Sequence, residues 1–120
     1  MSKSLDDLDP RFKPKAIELL ARCVELNIPV MIIETRRSLA EHLENLARGV
    51  SWTQHSKHID GLAIDICPYS QYQVHGPSKL DWDANDPIWY AIGNIGQRLG
   101  MIWGGSWQQR DLGHFEYIES

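Results

Sequence analysis

The chain has 120 residues, 42% of them apolar and 23% charged, which is the make-up of one soluble globular domain able to bury its own core. Twelve basic against sixteen acidic side chains give a net charge of −4. The basic residues are scattered, which speaks against nucleic acid or an anionic membrane surface as the main partner.

The opening Met1-Ser2-Lys3-Ser4-Leu5-Asp6-Asp7 has no apolar signal region, and no run reaches transmembrane length. Synthesis in the cytoplasm, without a membrane anchor, is therefore expected. Residues 1–13 read as a short leading segment with a turn at Asp9-Pro10. From Pro14 to Asn27 the residues Ile17, Leu20, Cys23, Val24 and Leu26 roughly follow helical spacing, and Pro14 suits a first helical turn. Pro29 stops that helix and leads into Val30-Met31-Ile32-Ile33, a short apolar run with the look of a buried strand. Ser38 with Glu41 forms a capping box that opens a helix to about Arg48, closed by Gly49.

Residues 50–61 are polar and read as a loop, and Leu62–Ile66 as a second strand. Residues 67–85 carry prolines, a glycine and many polar groups and are expected to form a long, functional surface loop. Asp86-Pro87 opens a third helix, which runs to Leu99 and stops at Gly100. Met101-Ile102-Trp103 and His114–Ile118 complete the pattern as strands, with a Gly-Gly turn between them. The order α-β-α-β-α-β-β predicts a single α+β domain over residues 1–120, with a small, mainly antiparallel sheet packed against helices. Cys23 and Cys67 lie far apart and outside any CxxC pair, so both are read as free thiols.

The chemistry concentrates in two stretches. In the first, Gln54–Ile66, His58 and Asp65 are separated by a glycine turn and a short apolar strand. In the second, Asp111-Leu112-Gly113-His114-Phe115-Glu116, a carboxylate stands three residues before a histidine. Two imidazoles and a carboxylate as ligands, with a spare carboxylate as general base, make up the inventory of a catalytic zinc site. Asp65 lies inside an apolar strand, and a buried carboxylate needs a partner. A metal ion is one candidate; an arginine, with His58 as a simple loop histidine, is the other. Taken singly, His114 fits a packed strand residue and Asp111 a turn residue.

The full pattern goes further. Ser56-x-His58-x-x-Gly61-x-Ala63-x-Asp65 resembles the signature of the zinc D,D-carboxypeptidase and L-alanyl-D-glutamate endopeptidase family, which includes vancomycin-resistance peptidases and several phage endolysins. Leu99–Trp107 followed by Asp111-x-x-His114-Phe115-Glu116 resembles its second signature. Glu34-Thr35-Arg36-Arg37-Ser38, with His42 and Gly49, is similar to its strand-end arginine segment. The resemblance covers about residues 10–118.

It implies a Hedgehog/D,D-peptidase type of fold and a Zn2+ ion held by His58, Asp65 and His114. Asp111 would activate water, and Arg37 would hold the substrate carbonyl or the developing oxyanion. Ser56 would support the site on its substrate side. The chain departs from the family at His42 (usually glutamine), Ser106 (Asp or Asn) and Gly113 (proline), and in the short spacer Gln108-Gln109-Arg110. These departures bear on the substrate pocket and not on the ligand set.

Arg36 is the rival of Arg37, because a one-residue slip of the strand exchanges their faces. The place of Arg37 beside the Ser38 cap favours it. His42, His55 and His75 are expected on helix surface or loop. Of the five tryptophans, Trp89 is expected in the core, with Trp103 and Trp107 edging the substrate cleft.

The implied activity is zinc-dependent hydrolysis of a peptide bond in peptidoglycan stem peptides. An L-alanyl-D-glutamate endopeptidase of endolysin type heads the readings. The alternatives are a D,D- or L,D-carboxypeptidase and a non-catalytic zinc-containing wall-binding domain. A monomer is expected, acting on the cell wall after release or delivery, as in phage or prophage lysis.

Overall fold

The computed structural model describes residues 1–49, 56–69 and 80–119. After a 3-10 turn at Leu5–Asp7 come α1 (Lys13–Glu25), β1 (Val30–Glu34), α2 (Leu39–Ala47) and β2 (Ala63–Pro68). Then follow α3 (Ile88–Arg98), β3 (Met101–Trp103), a 3-10 turn at Gly104–Ser106, and β4 (His114–Tyr117). This is the expected α-β-α-β-α-β-β order.

The punctuation works as its chemistry requires. The Ser38 hydroxyl accepts from the Glu41 N–H and the Glu41 carboxylate from the Ser38 N–H, both at 3.1 Å, closing a reciprocal cap on α2. The Asp86 carboxylate accepts the Ile88 N–H at 2.9 Å, so Asp86 satisfies a free donor at the start of α3 even though the helix begins one residue later than expected.

Two expectations need correction. Ile17 and Val24 on α1, and Leu26 just past its end, are exposed, whereas Ala16, Leu19 and Cys23 are buried. The buried stripe continues N-terminally through Phe12 and Leu8, which join the core. Small Ala16 and Cys23 keep the helical period better than the larger aliphatics, so the leading segment is core rather than preamble. The expected loop over 67–85 also starts later. Cys67 and Pro68 extend β2 opposite Met31 and Val30, and Tyr69 bridges to Leu80. Residues 70–79 lie outside the described residues, as do Trp52, Gln54, His55 and His75.

The four strands pair antiparallel in the order β1-β2-β4-β3. Register decides where the site falls. Ile64 faces Phe115 and Asp65 faces His114 across the central pair. Strand alternation sends Ile64, Ile66 and Phe115 into one cluster with Leu19, Cys23, Ile92 and Trp103. Each such side chain contributes roughly 1.5–3 kcal/mol by leaving water. The same alternation turns Asp65, His114 and Glu116 to the opposite face. Cys23 and Cys67 are both free and buried, and burial pushes each thiol up to about 11.

Candidate metal centre

His58 sits in the turn between α2 and β2. Gly61 closes that turn at φ 71°, a conformation that suits glycine. A Cβ there would stand 2.8 Å from the Asp9 nitrogen, so the turn is pressed against the leading segment. The His58 N–H donates to the Ser56 hydroxyl at 3.2 Å, and its Nδ1–H donates to the Thr35 carbonyl at 2.7 Å. A carbonyl only accepts, so Nδ1 carries the proton and Nε2 keeps its lone pair. Nε2 lies 3.2 Å from Asp65 Oδ1 but is not aligned for a hydrogen bond, and it is buried without a partner.

His114 approaches from β4. Its Nδ1 is 3.0 Å from Asp65 Oδ1, and its Nε2 donates to Glu116 Oε1 at 2.9 Å. Among the described residues, His58, Asp65 and His114 form a group whose donor atoms all lie within 4.8 Å of one another. Asp65 therefore meets two imidazoles, and the arginine pairing left open by the sequence does not form. Burial alone would raise the Asp65 carboxyl. The hydrogen bond from His114 and the close approach of both imidazoles outweigh that and hold it well below the ordinary carboxylate range. Burial opposes charging of His114, but Asp65 and Glu116 push its imidazole up to about 9.

Asp111 stands at the rim, its Oδ2 3.9 Å from His114 Nδ1. The Asp111 N–H donates to the Gly104 carbonyl at 3.0 Å, and the Asp111 carbonyl accepts the His114 N–H at 3.2 Å. A Cβ on Gly104 would come within 2.4 Å of the Asp111 carbonyl oxygen, so the loop closes this tightly only over glycine. Burial, then the charge of Asp65, raise the Asp111 carboxyl against the pull of His114, His58 and Arg37. A raised carboxyl is better matched to taking a proton near neutral pH.

Arg37 is mostly buried and ion-paired to Glu34 through Nε and Nη2, and its Nη1 donates to His42 Nδ1 at 3.0 Å. Its backbone N–H donates to the His58 carbonyl at 3.0 Å. Arg36 is exposed. His42, expected on the surface, is fully buried, because α2 turns it inward onto Arg37.

Trp103 also departs from expectation. It is 5% exposed, belongs to the core, and donates its indole N–H to the Leu112 carbonyl at 2.8 Å, so it supports the loop and does not edge a cleft. Trp107 does lie beside the cluster, its ring 5.1 Å from that of His114. Ser56 is buried and reaches the site through the His58 backbone. Trp89 is buried, as expected.

Thr35, Glu34 and Gly104 carry no role in the sequence reading. A carbonyl partner and a close backbone approach leave no residue-type signal. Glu116 could have been found: it stands two residues from His114 on a strand and so shares its face.

The donor set fits a metal ion. A buried imidazole nitrogen without a partner, a second one and a carboxylate oxygen converge on one point, and two nitrogens with one oxygen suit zinc. Each imidazole is oriented through its other nitrogen, as metal-bound histidines usually are.

Fold and donor set together define the class, a small α+β domain with a His-Asp-His candidate metal centre. Residues 49–117 match the peptidase M15 model described as D-alanyl-D-alanine carboxypeptidase, and the chain belongs to that family. It is 32% identical over 96 residues to the L-alanyl-D-glutamate peptidase of Escherichia phage T5, a match taking in 74% of this chain and 66% of that protein. The L-Ala D-Glu endopeptidase ChiX of Serratia marcescens superposes with a TM-score of 0.71 at 24% identity, over 95% of this chain and 83% of its own. VanYB in complex with D-alanine-D-alanine does so with a TM-score of 0.63 at 14% identity, over 93% and 72%. The vancomycin-resistance D,D-pentapeptidase VanY in complex with Zn(II) gives 0.62 at 14%, over 93% and 73%. These likenesses establish the fold.

Proposed function

We propose that the chain is a zinc peptidase that hydrolyses a peptide bond in peptidoglycan stem peptides, with His58, Asp65 and His114 as the metal ligands. The observation that carries this reading is the convergence of His58 Nε2, Asp65 and His114 Nδ1, with a second carboxylate, that of Asp111, at the rim. A bound zinc ion supplies Lewis acidity to the scissile carbonyl and lowers the pKa of the attacking water.

Asp111 takes the proton from that water as its oxygen bonds to the carbonyl carbon. When the C–N bond breaks, Asp111 returns the proton to the leaving amine. Arg37 commits Nε–H and one Nη2–H to Glu34 and one Nη1–H to His42, which leaves two of its five donors for a substrate oxygen. Trp107 walls the side of the cluster next to His114.

An internal bond, cleaved as by an L-alanyl-D-glutamate endopeptidase, is the favoured substrate. The phage T5 relative points there. So does the pairing of Arg37: a carboxypeptidase must bind a free terminal carboxylate, and Arg37, whose charge acts on Asp111, is already ion-paired to Glu34. D,D- or L,D-carboxypeptidase action is the second reading, a wall-binding zinc domain the third. A pure binding module has no use for a carboxylate set beside the ligands.

The likeness to a phage enzyme supports a role in lysis, with the chain made in the cytoplasm and delivered to the wall as a monomer. No described helix is long and apolar enough to cross a membrane. Digestion of purified peptidoglycan, with fragments identified by mass spectrometry, tests the function. New L-alanine termini, lost on chelation and restored by zinc, are expected. Release of terminal D-alanine instead selects the carboxypeptidase, and no release of any kind removes the enzyme reading.

A further inference from the structure

Glu34 ends β1 and enters the chemistry above only as the ion-pair partner of Arg37. In the β1–β2 ladder Ile32 lies opposite Ile66, and the next paired residue is Glu34, opposite Asp65, with Ile33 passed over. Such a bulge re-aims a side chain, and bulges gather next to active sites. Here it brings Glu34 into the row that runs from Asp65 to His114 on the next strand. Three ionisable side chains thus cross the sheet in line.

Glu34 is 4% exposed. A buried carboxylate beside Asp65 needs a cation, and Arg37 supplies it through a two-nitrogen ion pair. The same Glu34 oxygen lies 3.7 Å from His58 Nδ1, on the side of the ring away from Asp65. The Arg37 backbone is itself tied to the His58 carbonyl. Glu34 therefore touches both the arginine and the ring of one proposed ligand.

We infer that Glu34 is a positioning residue of the metal site, fixing the Arg37 guanidinium and cancelling its charge toward the ligands. This rests on the zinc reading above. Without Glu34, a free guanidinium tethered to the His58 turn would repel an incoming dication and lose its fixed direction. Removing both charges would relieve the first effect but not restore the second.

Zinc affinity, measured by competition with a chromophoric chelator, and kcat and KM on a purified stem-peptide fragment test this in Glu34→Gln, Arg37→Met and the double variant. Glu34→Gln is expected to weaken zinc roughly tenfold, the scale of losses behind a ligand histidine. It should lower kcat more than it raises KM. The double variant should recover zinc to within about threefold of the parent while staying slow, a non-additive result that reports direct coupling.

Parental zinc affinity in Glu34→Gln, or a double variant no tighter than Glu34→Gln, overturns the inference. If Glu34→Gln does not fold, Glu34→Asp takes its place: it keeps the charge, so zinc should hold while kcat falls, and parental kcat overturns the inference. The zinc measurements need no turnover, so a parent that binds zinc but cleaves nothing ends the hydrolase reading while Glu34 is still decided.

Discussion

His58 and His114 bring the same ring to the same carboxylate, yet the chain holds them by different means. His58 is fixed by main chain: the Thr35 carbonyl on Nδ1, and a turn pinned to the leading segment. His114 is fixed by charge: Glu116 on Nε2, with Asp111 and Trp107 beside it at the open rim. The Thr35 carbonyl itself does not change with side-chain identity or ionisation, although the Glu34 carboxylate lies beside the same ring. The holder of His114 depends on both. One half of the site is thus set mainly by backbone, and the other carries the ionisable groups at the open rim.

The largest effect should come from removing either ring. His58→Ala and His114→Ala are each expected to abolish stoichiometric zinc in metal analysis of purified protein, because two remaining donors make a poor site. The variants should still differ. His58→Ala also empties a fully buried position and should lower Tm by more than His114→Ala does, in line with the cost of cavities. Full zinc in either variant would show that the ligands are misassigned.

Next comes Asp111→Asn. It keeps size and most hydrogen bonding but cannot take a proton. Zinc should stay bound, with cleavage slower by at least about a hundredfold, within the usual range for a positioned base. Loss of zinc would instead make Asp111 a ligand and move the proton chemistry elsewhere.

How far this division could be read in advance follows from what each holder is made of. The His58–Asp65–His114 cluster is legible because metal chemistry demands particular residue types at a glycine turn, a strand and a strand start. Helix ends were legible because Ser38, Glu41, Asp86 and Gly100 act locally. The buried stripe of α1 is hard to see in the sequence because small Ala16 and Cys23 hold its period while the bulkier Ile17 and Val24 face solvent, and because it continues into Phe12 and Leu8. His42 was misplaced because its partner, Arg37, becomes a neighbour only after α2 has docked. The bulge that re-aims Glu34 depends on pairing with a strand some thirty residues away in sequence, and the Thr35 carbonyl meets the His58 ring from 23 residues away. Such contacts have no local signature.

Glu116→Gln probes the charge-held half directly. Glutamine still accepts from His114 Nε2, but it no longer makes the ring a stronger ligand through a negative charge. Zinc should weaken by about tenfold, within the range known for carboxylates behind metal-bound histidines. Chelator competition measures it. Unchanged affinity would mean that β4 packing alone sets His114, and the contrast between the two halves would fade.

Thr35→Val is the smallest effect and the sharpest test of the main-chain half. Thr35 is fully buried, and its hydroxyl finds no hydrogen-bond partner among the described residues. Valine has nearly the same shape and leaves the carbonyl that orients His58 in place. Zinc affinity should therefore stay within about twofold of the parent, since no oriented ligand loses its partner. Removing an unsatisfied buried hydroxyl should leave stability equal or raise it by on the order of 1 kcal/mol, visible as an unchanged or higher Tm. If Thr35→Val weakens zinc as much as Glu116→Gln does, a side chain and not the backbone holds His58. The two histidines would then be held alike, against the division drawn from their geometry.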